Sequence, residues 1–127
     1  MYKQDLERTL LGIDEEAELE IGPRDDRPSV VLVGGSAFML NDVTNRSVTH
    51  DIDVFEADRS LREIIVRYPE VNGMAGGRIK QMTVKFEGRV LSLDPWVRFI
   101  WNFMASLEEL EGEEGLLSRA KAHKDNP

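Results

Sequence analysis

The sequence predicts an α+β fold: a small mixed β-sheet of about four strands with helices packed mainly on one face. Three observations point to it. Leu6, Leu10, Ile13 and Ala17 recur at the spacing of one helical stripe. Val30 to Val33 is an unbroken branched apolar run, the pattern of a short buried strand. Asp51-Ile52-Asp53-Val54 then alternates polar and apolar residues with the two-residue period of a strand.

Composition sets the outer bounds. At 127 residues the chain, 1–127, reads as one domain with room for one core. No cysteine is present, which excludes disulfides, thiol catalysis and thiolate metal sites. No apolar run approaches the ~18–20 residues that cross a bilayer. The opening MYKQDLERTL has no apolar signal core, so the expected location is the cytoplasm, with no membrane partner. A formal charge of −8 argues against tight non-specific nucleic-acid binding over the whole surface, because phosphate contacts need a basic patch. A local site built from metal ions and a glycine turn remains open to an acidic protein.

Taken in order, the chain opens with the amphipathic helix, whose outer face carries Glu15, Glu16, Glu18 and Glu20 as a solvated surface. Gly22-Pro23 ends it, and RDDRPS turns into the Val30–Val33 strand. Gly34-Gly35-Ser36 breaks that strand, and Ala37 to Leu40 continues with helix-compatible residues. A strand entering a helix through two glycines leaves backbone N–H groups free where no side chain blocks a phosphate. A polar loop follows, containing Arg46 and Thr49. Arg46 suits either a phosphate or an ion pair orienting Asp51.

Strand parity sends Asp51 and Asp53 to one face and Ile52 and Val54 to the core, with His50 on the core side. Two carboxylates on one face repel unless a cation lies between them, and Mg²⁺ or Mn²⁺ shared with substrate phosphates is the natural occupant. Ser60 and Glu63 have capping-box spacing, opening a helix with Leu61, Ile64, Ile65 and Tyr68 on its apolar stripe and Pro69 at its end. Residues 79–94 read as a hairpin turning at Glu87-Gly88, with Val84 opposite Leu91 and Met82 opposite Leu93. Asp94 falls on the polar face of that hairpin, where a third carboxylate serving as general base is wanted. The same residue precedes Pro95, so it equally suits the N-cap of a following helix. That helix, 95–110, is apolar on more than one side and suits a place partly in the core and partly in a homodimer contact. Gly112 and Gly115 set off a last helix near Leu116 to Lys124, with His123 at its solvated end.

Gly34-Gly35-Ser36, Arg46-x-x-Thr49 and Asp51-x-Asp53, in this order on strand, turn-helix and strand, resemble the signature of the DNA polymerase β-type nucleotidyltransferase superfamily. The chain is similar to small stand-alone bacterial members and abortive-infection relatives. The resemblance covers residues 30–55 and, less fully, 79–105. It implies that Gly34, Gly35 and Ser36 hold the triphosphate of an NTP, with Arg46 and Thr49 beside them. It implies that Asp51 and Asp53 bind the metal that activates nucleotidyl transfer to a hydroxyl on protein or RNA. It also implies a toxin–antitoxin or phage-defence setting with a helical protein partner. Relatives carry a lysine in the helix that follows the hairpin, where this chain has Asn102. That departure leaves a second reading beside the enzyme: a catalytically degenerate member that binds a nucleotide or a partner.

Overall fold

The computed structural model describes residues 1–22, 26–72, 83–86 and 95–125. Helix α1 spans Lys3–Ile21. Its stripe of Leu6, Leu10, Ile13 and Ala17 is buried as the spacing predicts. Gly22 closes the helix in the left-handed region at φ 79°, its N–H donating to the Glu18 carbonyl at 3.1 Å. Strand β1 (Ser29–Val33) runs directly into helix α2 (Gly34–Leu40). Strand β2 covers Ile52–Ala57, and a 3₁₀ turn at Arg59–Leu61 leads into the short helix α3, Arg62–Ile65. Then come β3 (Val71–Asn72), β4 (Thr83–Phe86), β5 (Arg98–Met104), α4 (Leu107–Gly112) and α5 (Leu116–Asp125).

The five strands form one mixed sheet in the order β3-β2-β1-β5-β4. Strand β1 lies at its centre, antiparallel to β2 and parallel to β5. Leu32 stands beside both Val54 and Trp101, so one sheet face presents a continuous apolar row to the helices. Phe38 of α2 seals that row, its ring 5.9 Å from Trp101 and 5.3 Å from Phe103. Between the pairs Val31↔Glu56 and Leu32↔Val54 the register shifts by one residue of β2. This bulge returns Ala57 to the core side with Ile52 and Val54, which simple alternation would not do. Helix α1 covers α2 and reaches β5: the buried carboxylate of Asp14 accepts the Val97 N–H at 2.6 Å. No described helix is long and apolar enough to cross a membrane.

Three sequence expectations are corrected. The helix expected over 95–110 is instead β5 followed by α4. Phe99, Trp101, Asn102, Phe103 and Met104 are all buried, because β5 is hydrogen-bonded on both edges and covered on both faces. A run that is apolar on every side is the pattern of such a strand as much as of a buried helix, and its Val, Phe, Ile and Trp residues favour the strand. The helical signal begins only at Ser106, whose Oγ accepts the Glu109 N–H at 3.2 Å while Glu109 Oε2 accepts the Ser106 N–H at 2.8 Å. The homodimer contact expected along that helix therefore loses its surface, since its aromatic residues fill the chain's own core. The helix that Asp94 was expected to cap does not form at Pro95.

The second correction concerns residues 58–66. Asp58, not Ser60, opens the turn: Leu61 N–H donates to the Asp58 carbonyl at 2.9 Å. The Asp58 carboxylate is engaged by the Ser29 N–H at 2.9 Å, which fastens the end of β2 to the start of β1. Leu61, Ile64 and Ile65 are buried as expected, and Tyr68 donates to Glu16 Oε2 at 2.8 Å, so Glu16 does not merely face solvent. Burial and this carboxylate together push the Tyr68 hydroxyl up to about 12. Third, His123 is half-buried and rests on Trp101, ring centroids 5.2 Å apart, where a fully solvated helix end was expected; burial lowers its pKa, with Asp42 opposing. The expected hairpin shows only β4, paired antiparallel with β5 through Val84↔Phe103. Met82, Glu87-Gly88, Leu91, Leu93 and Asp94 lie outside the described residues.

Phe38→Ala should cost about 3–5 kcal/mol in urea unfolding, the range for a buried aromatic whose site cannot collapse. Leu19→Ala, at a position 85% exposed, should stay within about 0.5 kcal/mol. Phe103→Glu should fail to fold, where a docking residue would change only the assembly.

Candidate functional site

The site forms where β1 hands over to α2, against the start of β2. Val33 pairs with Asp53, and in an antiparallel ladder directly opposed residues share a face. Asp53 therefore stands beside the last residue of β1, on the face away from Leu32 and Val54. The next residue, Gly34, has φ 75°, and a Cβ built there would lie 3.0 Å from Asp53 Oδ2. Both facts demand glycine: the backbone is left-handed, and the carboxylate occupies the space of a side chain.

Gly35 makes the second half of the cradle. A Cβ on it would come within 3.3 Å of Arg46 Nη1 and 3.5 Å of Thr49 Oγ1. The structure thus brings Gly34 to Asp53, and Gly35 to Arg46 and Thr49. Arg46 is exposed and makes no ion pair among the described residues, so the alternative in which it orients Asp51 through a salt bridge is not what the fold builds. Thr49 is buried, its N–H bound to the Met1 carbonyl at 3.0 Å. Ser36 is enclosed as well, and its Oγ has no hydrogen-bond partner among the described residues. A buried hydroxyl left without a partner is costly, and here it lies in the first turn of α2, whose backbone N–H groups lack intrahelical acceptors.

Asp51 and Asp53 are both half-buried, while Ile52 and Val54 point inward, as parity requires. His50 does not follow that parity. It is exposed at a bend before β2, which begins at Ile52, and so leaves the core side. The carboxyl of Asp53 is raised above the ordinary 3.8, first by burial and then by the neighbouring Asp51 charge. An N–H donated by Asn72 Nδ2 at 3.3 Å opposes the shift, and Glu109 adds to it. A divalent cation would relieve this repulsion, and two hard carboxylate oxygens on one face fit Mg²⁺ or Mn²⁺ that draws its other ligands from phosphates and water. Among the described residues Asp51 and Asp53 stand as a pair, with no third His, Asp or Glu completing a metal cluster. Asp94, expected as the third acid, lies outside those residues.

Asn72 and Glu109 escaped the sequence reading. Asn72 reaches Asp53 because β3 pairs in parallel with β2, Asn72 opposite Asp53, and a two-residue strand leaves no periodicity to detect. Glu109 looks like one more residue of a glutamate-rich surface, yet α4 carries it within electrostatic range of Asp53. Beside Arg46 and Glu109 opens a cavity of about 500 Å³, walled also by Phe38, Asn45, Glu113 and Leu116. That volume falls in the range of small-molecule sites.

A family model described as "Nucleotidyltransferase of unknown function (DUF6036)" matches residues 8–111, which include most of α1, the glycine turn, both aspartates and most of α4. No curated protein and no solved structure matches the chain.

The raised carboxyl of Asp53 has a direct consequence for stability. A carboxyl that holds its proton more tightly in the folded state loses stability as pH rises from 3.8 through its folded value. At neutral pH, in EDTA, Asp53→Asn should therefore unfold at a higher temperature than the parent. The difference should shrink below pH 3.8, where the parent's group is protonated in both states. Thermal scans at the two pH values check this. Gly34→Ala should go the other way, losing about 1–2 kcal/mol to left-handed backbone strain.

Proposed function

The chain belongs to this family of nucleotidyltransferases of unknown function, and on that premise we propose that it transfers a nucleotidyl group from an NTP to a hydroxyl of a partner macromolecule. The observation that carries the proposal is the convergence of Asp53 on Gly34 and of Arg46 and Thr49 on Gly35. Asp51 and Asp53 would hold Mg²⁺ or Mn²⁺, which when bound supplies charge neutralisation at the reacting phosphate.

The chain's own residues do the rest. Gly34 and Gly35 present backbone N–H groups at close range to the β- and γ-phosphates, with the Ser36 hydroxyl in the same turn. Arg46 adds a fixed positive charge over Gly35, suited to phosphate oxygens by its planar fork. The acceptor hydroxyl attacks the α-phosphorus, the bond to the β-phosphate oxygen breaks, and pyrophosphate leaves. The hydroxyl proton passes to a general base, for which Asp94 is the candidate. The cavity bordered by Arg46 and Glu109 has room for the nucleoside part of the donor. With a net charge of −8, a protein hydroxyl is a better acceptor than RNA, whose phosphates the surface repels. A helical protein partner in a toxin–antitoxin or phage-defence pair is in keeping with that choice.

A second reading is a degenerate member that binds a nucleotide or a partner without catalysis. The match of Asn102 to a helix lysine of relatives, which the resemblance implies, does not carry over, because Asn102 is buried in strand β5.

Transfer of label from α-labelled NTPs to candidate protein and RNA acceptors decides between the two. The parent should transfer label with Mg²⁺ or Mn²⁺, and Asp51→Asn and Asp53→Asn should each lose at least about a hundredfold in rate. Asp94→Asn should bind the NTP and lose turnover if it is the base. Binding without transfer from the parent, across the acceptors tried, selects the degenerate reading.

A further inference from the structure

Glu113, so far only a wall of the cavity, and Arg119 take no part in the reaction described above. In the fold they meet the loop that carries Arg46. Glu113 Oε1 and Oε2 accept from Thr44 Oγ1 at 2.8 and 3.0 Å, and Oε1 also accepts the Asn45 N–H. Thr44 Oγ1 in turn accepts the Arg46 N–H at 3.1 Å. Arg119 completes the arrangement from α5: its Nε donates to the Val43 carbonyl at 2.6 Å, and its Nη2 lies 3.6 Å from Glu113 Oε1. The turn between α4 and α5 is shaped for this contact. Gly115 has φ 81°, and a Cβ there would lie 2.9 Å from Arg119 Nη1.

Val43, Thr44 and Asn45 are therefore fastened to the α4–α5 corner through one carboxylate and one guanidinium, and Arg46 is tied to them through Thr44. The Glu113 side chain is only 15% exposed and its bonds from Thr44 are part-buried, so loss of the acceptor leaves the Thr44 hydroxyl without this partner. The loop lacks regular secondary structure and has no ladder of its own to fix Arg46 over Gly35. We propose that Glu113 and Arg119 are positioning residues, a clasp that holds Arg46 at the glycine turn so that its guanidinium meets the triphosphate of the donor. The assignment rests on the nucleotidyltransferase reading for the ligand, and on the hydrogen bonds alone for the clasp.

Two measurements separate these parts. In Glu113→Ala, amide exchange at Asn45 and Arg46, followed by NMR, should quicken, while exchange in β1 and β2 stays at the parent rate. Thr44→Val, which removes one hydroxyl and little else, should quicken exchange at Arg46 and guards against a Glu113 variant that fails to fold. With Mn²⁺ and inorganic tripolyphosphate as the probe, Glu113→Ala should weaken tripolyphosphate binding about tenfold and leave Mn²⁺ affinity unchanged. In an Arg46→Ala background the same substitution should have no further effect on tripolyphosphate. Glu113→Gln, which keeps an oxygen acceptor and loses the attraction to Arg119, should fall between.

Unchanged exchange at Asn45 and Arg46 in both variants overturns the clasp. So does an equal loss of tripolyphosphate binding with and without Arg46, which would mark a general structural role. Should the parent bind no tripolyphosphate, the nucleotide reading and the assigned role in holding it fall together, while altered exchange would retain the clasp as a loop fastening only.

Discussion

The pairing of Val33 with Asp53 fixes this site. It sets a carboxylate beside the residue at which β1 becomes α2, and the left-handed Gly34 lets the two approach to a distance no side chain would allow. The proposed function depends on that register. A slip of one residue would turn Asp51 and Asp53 into the core and Ile52 out to solvent. The apolar row of Leu32, Val54 and Trp101 against Phe38 therefore does more than stabilise the fold; it locks the aspartates onto the opposite face.

The electrostatics carry a tension that the fold tolerates. Two carboxylates lie close, one of them partly desolvated, with a third negative charge from Glu109 near enough to matter. A single amide from Asn72 offsets part of this. Such a pair is costly as it stands and becomes favourable once a cation lies between the groups, so the same geometry that disfavours the ionised state selects for a positively charged ligand. Arg46, exposed and beside Gly35, is the positive group proposed to meet phosphate.

Much of the candidate site was legible because its signals are local. Parity alone separates Asp51 and Asp53 from Ile52 and Val54, and two glycines after a branched apolar run mark a strand entering a helix. Strand β5 was not legible for the opposite reason. A run buried on both faces has no polar side, so neither period stands out, and Asp94-Pro95 imitates a helix start. Its strand character depends on β1 and β4 lying on its two edges, which is tertiary information. Glu113 was hidden differently: as one acid among several, it gains meaning only from Thr44 and Arg119, which are distant in sequence or on another element.

The central claim is that Asp51 and Asp53 form a cation site completed by phosphate. Titration of the parent with Mn²⁺, read by electron paramagnetic resonance of the free ion, tests it most directly. The account predicts weak binding by the protein alone and markedly tighter uptake when tripolyphosphate is present, beyond what tripolyphosphate itself takes up, with both lost in Asp53→Asn. Parent protein that takes up no Mn²⁺ in either condition, or an Asp53→Asn variant that takes up as much, would contradict it.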